Sequence, residues 1–385
     1  MKKIKVIQIN PSLDMGGIET MMVQLCNHLD KKQFEVVLCS LSTHIVKAKE
    51  LYPDVKVVSM GYKARCLRGF YLMIFAPLVL CKLGKWLKSE QPDIVHIHAY
   101  FSMYMLIALA VKLYFKQAKI VKTLHTSAMF YSSDRLIDHF RLWVEQRATA
   151  LNNTYVVGIC KQVEEIANLH FSGVAQGLRM IYNGVDLSNF THLLVDKKRN
   201  QLIGNKRVLV AYVARFVDGK NHRFLLDVWS ELKKKGVDSA RLLLVGDGDY
   251  LESTQREIER LNLEKEVICL GRSNEVSRLL SVCDFAVFPS DYEGFSIAMI
   301  EKMASSLPVV ASDIPSFREI ITQEIDGIIV PLSDRQGWKE AVEKLINDSD
   351  LRCKMGSAAL NRSRDFSIEL MTSEYENLYR YACSH

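Results

Sequence analysis

The sequence predicts an α/β protein of two domains, each a mostly parallel sheet covered on both faces by helices. Three observations lead there. Apolar strand-like runs alternate with longer helical patterns from end to end, the alternation breaks once and restarts, and 385 residues exceed what one ordinary hydrophobic core supports.

In the first half, strands are expected near Lys5–Asn10, Glu35–Leu41, Lys56–Met60, Asp93–Ala99, Lys119–His125, Tyr155–Cys160 and Leu178–Tyr182. Helical periodicity fills the intervals, for example at Ile18–Leu29, Phe101–Phe115 and Asp134–Leu151. The second half restarts with strands near Arg207–Ala214, Arg241–Val245, Val267–Leu270, Phe285–Pro289, Val309–Ser312 and Gly327–Val330. Between the two sets, Asp186–Lys206 is polar with no clear apolar period and reads as an interdomain connection carrying a helix or loop. The expected division is 1–183, a connection over 184–206, 207–366, and a terminal helix over 367–385 that packs back on the N-terminal domain.

Composition narrows the setting. Nearly half of the residues are hydrophobic and 24% are charged, the balance of a globular protein. The N-terminus MKKIKVIQIN is a basic run followed by a strand, with neither the long apolar core nor the cleavage site of a secretory signal. The nine cysteines are scattered and none forms a C-x-x-C pair, which argues against zinc ribbons and dithiol redox sites and suits a reducing, cytoplasmic compartment. Charge is uneven. Residues 1–180 carry 23 Lys and Arg against 13 Asp and Glu, and the remainder carries 27 against 31, so only the first half is suited to approach something anionic.

The stretch Phe70–Cys81, FYLMIFAPLVLC, is strongly apolar but only twelve residues long and contains Pro77. Crossing a bilayer takes about 20 apolar residues, so it does not span a membrane. Lys63, Arg65, Arg68, Lys82, Lys85 and Lys88 flank it, and two readings stand: a buried helix of the first sheet layer, or an interfacial helix resting on anionic lipid.

Candidate chemistry sits at strand ends. After Lys5–Asn10, Gly16 and Gly17 precede a helix, where backbone N–H groups can approach an anion closely, although the segment is not a G-x-G-x-x-G fingerprint and can be a bare turn. After Phe285–Pro289 comes SDYEGFSIAMIEKMA, in which Glu293 and Glu301 lie eight residues apart, Gly294 permits a tight entry, and Ser296 is a plausible N-cap. Eight helical residues advance about 12 Å, the scale of a folded sugar–diphosphate–ribose. Glu301 lies among Ile297, Ala298, Ile300 and Ala304, so it either reaches solvent or holds a ligand. Arg215 and Lys220 leave the carboxyl end of the strand Arg207–Ala214, where open α/β sheets bind ligands; alone, such a pair is more often a solvated face. Gly246 and Gly248 in LLLVGDGD leave room for a ligand or make a turn.

Together these pieces resemble the retaining GT-B glycosyltransferases of the large bacterial family four, over nearly the whole chain. The matching motifs are GGIE near the start, the histidine of TLHTS, IYNGVD, ARFVDGKN, VGDG, and the E-x7-E of EGFSIAMIE, in that order. The resemblance implies two Rossmann-like domains facing a central cleft. It implies that Arg215 and Lys220 bind a donor diphosphate, that Glu301 holds the nucleotide ribose, and that Glu293 lies by the donor sugar with Gly294, Phe295 and Ser296 in the same donor loop. Gly246 falls in that donor set as well, while Gly16, Gly17 and His125 face the sugar from the N-terminal side. Where the family often reads EPFG or EGFG, this chain reads EGFS, which alters the details of sugar contact.

The expected function is therefore retaining transfer of a sugar from a nucleotide-sugar donor to a glycan or lipid-linked acceptor in cell-surface polysaccharide biosynthesis. The expected location is cytoplasmic and peripheral to the inner face of the membrane. The alternative is a GT-B sugar-nucleotide epimerase or hydrolase. No cofactor is expected, since the nucleotide-sugar is a substrate, and no metal: GDGD at Gly246–Asp249 is interrupted by glycine and belongs to the donor loop. His96 and His98 share one strand face without an apparent third ligand, and His98, nearer the strand end, is placed to touch an acceptor. A dehydrogenase is disfavoured because neither half carries the dinucleotide fingerprint with a ribose-binding acid. No nucleic acid partner is expected.

Overall fold

The computed structural model describes residues 2–14, 16–67, 69–126, 135–190, 196–204 and 206–385. Arg68, Ser127, Asp134 and residues 191–195 lie outside the described residues. The chain divides into two units, Met1–Gly184 with Ile368–His385, and Val185–Ser367.

The first unit is built on seven parallel strands: β1 (Ile4–Asn10), β2 (Phe34–Ser42), β3 (Lys56–Tyr62), β4 (Ile94–Ile97), β5 (Lys119–Leu124), β6 (Tyr155–Gly158) and β7 (Gly177–Met180). Their order across the sheet is β3-β2-β1-β4-β5-β6-β7. The helices are α1 (Gly17–His28), α2 (Gly69–Glu90), α3 (Phe101–Tyr114), α4 (Leu136–Leu151) and α5 (Lys161–Phe171). With helices on both faces, the central strands bury consecutive residues and read as near-continuous apolar runs such as Val6, Ile7 and Ile9. On one face, Leu83 and Leu87 of α2 and Tyr104, Ile107 and Val111 of α3 close over Ile7, Val37, Val95 and Ile120.

The second unit repeats the design with six parallel strands. They are β8 (Val208–Val213), β9 (Ala240–Val245), β10 (Val267–Gly271), β11 (Phe285–Phe288), β12 (Val309–Ser312) and β13 (Gly327–Val330), ordered β10-β9-β8-β11-β12-β13. Its helices are α6 (Asp196–Ile203), α7 (His222–Lys234), α8 (Leu251–Arg260), α9 (Val276–Leu280), α10 (Ile297–Ala304), α11 (Pro315–Ile320), α12 (Arg335–Asn347) and α13 (Ser349–Ser363). The polar stretch read as a connection belongs to this unit: Arg199 of α6 bonds both carboxylate oxygens of Asp284, at 3.0 and 2.8 Å. In each sheet the strand order reverses once, between β1 and β4 and between β8 and β11. In an open α/β sheet the crevice beyond the strand carboxyl ends at that reversal is where ligands bind.

The last helix, α14 (Ile368–Ser384), returns to the first unit. Ile368, Met371, Tyr375, Leu378, Tyr379 and Ala382 are buried, the three- and four-residue spacing of one helix face.

The apolar stretch 70–81 is buried along part of its length, as the first reading expects, and exposed along the rest. It lies in α2, which buries Leu72, Val79, Leu83 and Leu87 and exposes Tyr71, Ile74 and Leu78. Its neighbour α3 exposes Met105, Leu109 and Leu113, and α4 beyond it exposes Leu136, Ile137, Phe140 and Trp143. No helix among the described residues is long and apolar enough to cross a membrane.

Candidate active site

In the second unit, the loops after β8 and β11 meet at the strand-order reversal. The β8 loop turns at Gly219 (φ 76°) and at Asn221, a non-glycine residue in the left-handed region that asparagine tolerates (φ 53°). Asn221 then donates from Nδ2 to the Pro289 carbonyl and to Asp291 Oδ1, both at 2.8 Å, while the Asp291 N–H donates to the Gly219 carbonyl at 2.9 Å. Tyr212 adds a short hydrogen bond from its hydroxyl to the Lys220 carbonyl.

This stitching brings Lys220 and Glu293 together. Lys220 Nζ lies 2.5 Å from Glu293 Oε1, and Ser290 Oγ donates to the same oxygen at 3.1 Å. The ion pair is partly open to solvent, so both groups remain within reach of a ligand. Arg215 stands exposed just beyond β8 and makes no ion pair among the described residues. Ser296 is the N-cap of α10, its hydroxyl accepting from the Met299 N–H at 3.3 Å. Gly294 and Phe295 precede it, Phe295 packing edge-on against Phe366 at 5.5 Å. Glu301 follows one turn into α10 and is half-buried. Cationic groups, a helix N-terminus and two carboxylates thus surround one strand-end crevice, an arrangement suited to a diphosphate joined to polyhydroxylated groups.

Gly246 is held differently from the expectation. Its N–H donates to the Gly271 carbonyl at 2.9 Å, and a Cβ there would lie 2.0 Å from the Ala214 carbonyl oxygen. Gly248 likewise leaves no room, with the Phe216 carbonyl oxygen 2.4 Å from a built Cβ. These glycines let the β9 loop run against the β8 loop backbone to backbone, which fixes the root of Arg215; the space they vacate is occupied by protein.

Lys302 was not legible as part of this site. It is fully buried, its Nζ 2.9 Å from the Ala298 carbonyl and 4.2 Å from the centre of the Phe288 ring. Burial pushes its ammonium down to about 8, a shift that the carboxylates of Glu301 and Glu293 oppose and the Lys220 charge reinforces. The available signal was a lysine directly after Glu301 in an apolar run.

In the first unit, Gly16 is the extended N-cap of α1, and Glu19 folds over it, its Oε2 2.3 Å from where a Cβ would stand. A Cβ at Gly17 would meet open space, so the turn stays accessible there. His125 follows β5 and is mostly buried. Its Nε2 lies 3.0 Å from His98 Nδ1, and His98 Nε2 lies 2.5 Å from Gln8 Oε1. Both nitrogens of His98 are thereby engaged inside the protein, so the expected acceptor contact is not available to it; it lies beneath His125. His96 is also taken on both sides, by Tyr379 at 2.7 Å and Thr123 at 2.7 Å. Burial holds all three imidazoles well below the usual histidine range, His125 at about 3.

Two family models adjoin along the chain. Glycosyltransferase Family 4 matches residues 15–189, and Glycosyl transferases group 1 matches residues 195–362. A 383-residue alignment, 98% of this chain and 97% of the other, gives 23% identity to the UDP-Gal:alpha-D-GlcNAc-diphosphoundecaprenol alpha-1,3-galactosyltransferase of Escherichia coli. The amylovoran biosynthesis glycosyltransferase AmsD of Erwinia amylovora is 24% identical over 377 residues, 97% of this chain and 98% of that one. Anabaena Alr3699/HepE, solved in complex with UDP, shares the fold with a TM-score of 0.78 at 19% identity, over 99% of this chain and 100% of that one. Between them the two models take in every strand but β1 and the loops that carry Arg215, Lys220, Glu293 and Glu301, and the chain belongs to the group 1 glycosyltransferases, transferase enzymes of the GT-B fold.

Proposed function

We propose that this chain is a retaining glycosyltransferase that moves a sugar from a nucleoside-diphosphate donor to a lipid-linked or glycan acceptor in surface polysaccharide assembly. The observation that carries the reading is the junction of Lys220 with Glu293 at the strand-order reversal, between exposed Arg215 and the N-terminus of α10. In the reaction the anomeric carbon–diphosphate bond breaks and the acceptor oxygen bonds to the same face of the sugar. The acceptor proton leaves with a departing phosphate oxygen. Arg215, Lys220 and the first N–H groups of α10 offset the charge growing on the diphosphate, which makes a metal unnecessary. Glu293 stabilises positive charge on the ring, and Glu301 binds the ribose hydroxyls. His125 donates or accepts one hydrogen bond on the sugar. The Escherichia coli relative's diphosphoundecaprenol acceptor supports a lipid-linked acceptor here.

The first unit supplies a surface for such an acceptor. Every acidic side chain of α2, α3 and α4 is engaged: Glu90 by Lys5 and Lys56, Asp138 by Arg135 and Arg141, and Glu145 by Lys122. Lys82, Lys85, Lys88, Lys112 and Arg147 remain exposed without an acidic partner among the described residues, beside the exposed apolar side chains of the same helices. An apolar face with uncompensated cations suits the inner, anionic face of a membrane, and with the free cysteines it supports a cytoplasmic, peripheral location.

Two experiments test these readings. Nucleotides and nucleotide-sugars that bind the folded chain raise its melting temperature by mass action, and NMR of the product made from the stabilising donor should show the donor's anomeric configuration. An inverted product refutes retention, and acceptor-independent consumption of the donor points to an epimerase or hydrolase. Anionic vesicles should sediment the protein at low salt and release it at 1 M salt, where the Debye length is about 3 Å. Trp143→Glu should abolish sedimentation; equal sedimentation with neutral vesicles removes the membrane reading.

A further inference from the structure

The polar residues Gln8, His96, His98, Thr123 and His125 form a stripe over three adjacent strands of an otherwise apolar sheet. Gln8 and His96 are register partners on β1 and β4, and Thr123 stands on β5. Tyr375 and Tyr379 of α14 cover the stripe, both fully buried. Six close contacts join the seven side chains in one line. Starting from the strand end, they are His125 to His98 at 3.0 Å, His98 to Gln8 at 2.5 Å, Gln8 to Tyr379 at 3.1 Å, Tyr379 to His96 at 2.7 Å, His96 to Thr123 at 2.7 Å, and Thr123 to Tyr375 at 3.0 Å.

Such a line has a polarity. A neutral imidazole carries one N–H and one lone pair, and an amide carries a carbonyl that only accepts and an NH₂ that only donates. Gln8 presents Oε1 to His98 and Nε2 to Tyr379. His98 must therefore donate from Nε2, which leaves its Nδ1 to accept, and His125 must donate to it from Nε2. On the other side Tyr379, accepting from Gln8, donates to His96 Nδ1, and His96 donates from Nε2 to Thr123. Every link follows from the orientation of one amide. Burial keeps the imidazoles and the tyrosine hydroxyls neutral, so no member escapes the rule by ionising.

We infer that Gln8, His98 and Tyr379 are positioning residues that hold His125 as the Nε2–H tautomer, so that its Nδ1 offers an acceptor, and only an acceptor, to a sugar hydroxyl. Nδ1 makes no hydrogen bond among the described residues. The tautomer assignment stands on the geometry of this unit alone; its consequence for the donor rests on the sugar-facing role proposed above for His125. The specificity that follows is for a donor hydroxyl that gives its proton to the enzyme, and a helix placed after the whole second unit sets it.

Long-range ¹H–¹⁵N correlation on protein labelled at its ten histidines distinguishes the tautomers without any substrate. The expected wild-type result is His125 with a protonated Nε2 and a lone pair on Nδ1; a protonated Nδ1 overturns the inference. Tyr379→Phe and Gln8→Met release the amide constraint, and both should show His125 as a mixture of tautomers. If the variants fold and keep the wild-type tautomer, Gln8 and Tyr379 do not position His125. A donor whose hydroxyl is replaced by fluorine, which can accept but not donate, separates the two claims. At the position facing His125, the deoxyfluoro and deoxy donors should lose binding affinity equally, by about 2- to 12-fold, the size of one neutral hydrogen bond, as read by calorimetry, because fluorine also slows a step that builds positive charge on the ring. If the tautomer is as expected but no ring position shows that loss, the sugar-facing role of His125 falls and the positioning chain stands.

Discussion

Replacing Lys302 with methionine should stabilise the second unit at neutral pH and lose that advantage in alkali. The side chain is fully buried, and its ammonium rests on backbone carbonyls and the Phe288 ring without a direct bond to a carboxylate. In the unfolded chain the lysine titrates at its ordinary 10.5, and in place at about 8. Between these values the unfolded chain holds the proton more tightly, so stability rises with pH across that window. The same difference, taken from 10.5 to about 8, makes the charge cost about 3 kcal/mol at pH 7. By pH 10.5 the lysine is neutral in the fold and the remaining cost is about 0.4 kcal/mol. Methionine keeps the length and polarisability of the stem, so packing is nearly conserved. For a unit of this size, Val185–Ser367, 3 kcal/mol corresponds to a melting shift of about 6–12 °C. The assay is unfolding of both proteins by urea and by heat at pH 7, 8, 9 and 10.5. A stability difference that stays constant across that range refutes the reasoning, because every other titrating group is common to the two chains.

Glu301→Gln should weaken binding of the nucleoside diphosphate about 10- to 150-fold, the size of a hydrogen bond to a charged group, whereas Glu293→Gln should leave that affinity nearly intact and lower kcat. Calorimetry with the diphosphate product and steady-state kinetics separate the two, and equal weakening by both would falsify the placement of the motif along the donor. Transfer should survive EDTA, and activity lost to the chelator and restored by magnesium or manganese would count against charge compensation by Arg215, Lys220 and α10. Glu145→Gln strands Lys122, with which it forms an ion pair fully shielded from solvent, and should cost about 3–5 kcal/mol in denaturant titration; the double variant Lys122→Met with Glu145→Leu should recover most of it.

The two parallel sheets were legible because strands buried on both faces read as apolar runs, and thirteen such runs were placed close to where the strands lie. The N-cap at Ser296 was legible because helix caps have a local signature, and Lys220 and Glu293 could be placed on strand-end loops, though their meeting could not. What stayed hidden depends on partners far along the chain. Gly246 looks like room for a ligand until the Ala214 carbonyl is seen to fill it. The stretch Asp186–Lys206 looks like a tether in the sequence, since only the distant Asp284 gives Arg199 a reason to be there. Gln8 is one polar residue in an apolar strand, and its bond to Tyr379 spans 371 positions. His98 sits at the strand end where a substrate contact is expected, and only its two internal partners place it beneath the surface. Sequence spacing reports periodicity within an element, and these four cases concern contacts between elements.

The return of α14 to the first unit also bears on how the chain is made. A ribosome releases residues 1–184 before the helix that completes their core exists. At about 5–20 residues per second, the second unit takes about 10–40 s to emerge in between. During that interval the sites of Tyr375, Leu378 and Tyr379 are open, and His96 and Gln8 lack their tyrosine partner. The nascent first half is then a sheet with a gap beside α1 on one face, the state in which chaperones bind and misassembly begins. The segment that fills that gap is made only after the whole second unit, so a chain that stops before it leaves its first unit incomplete as well.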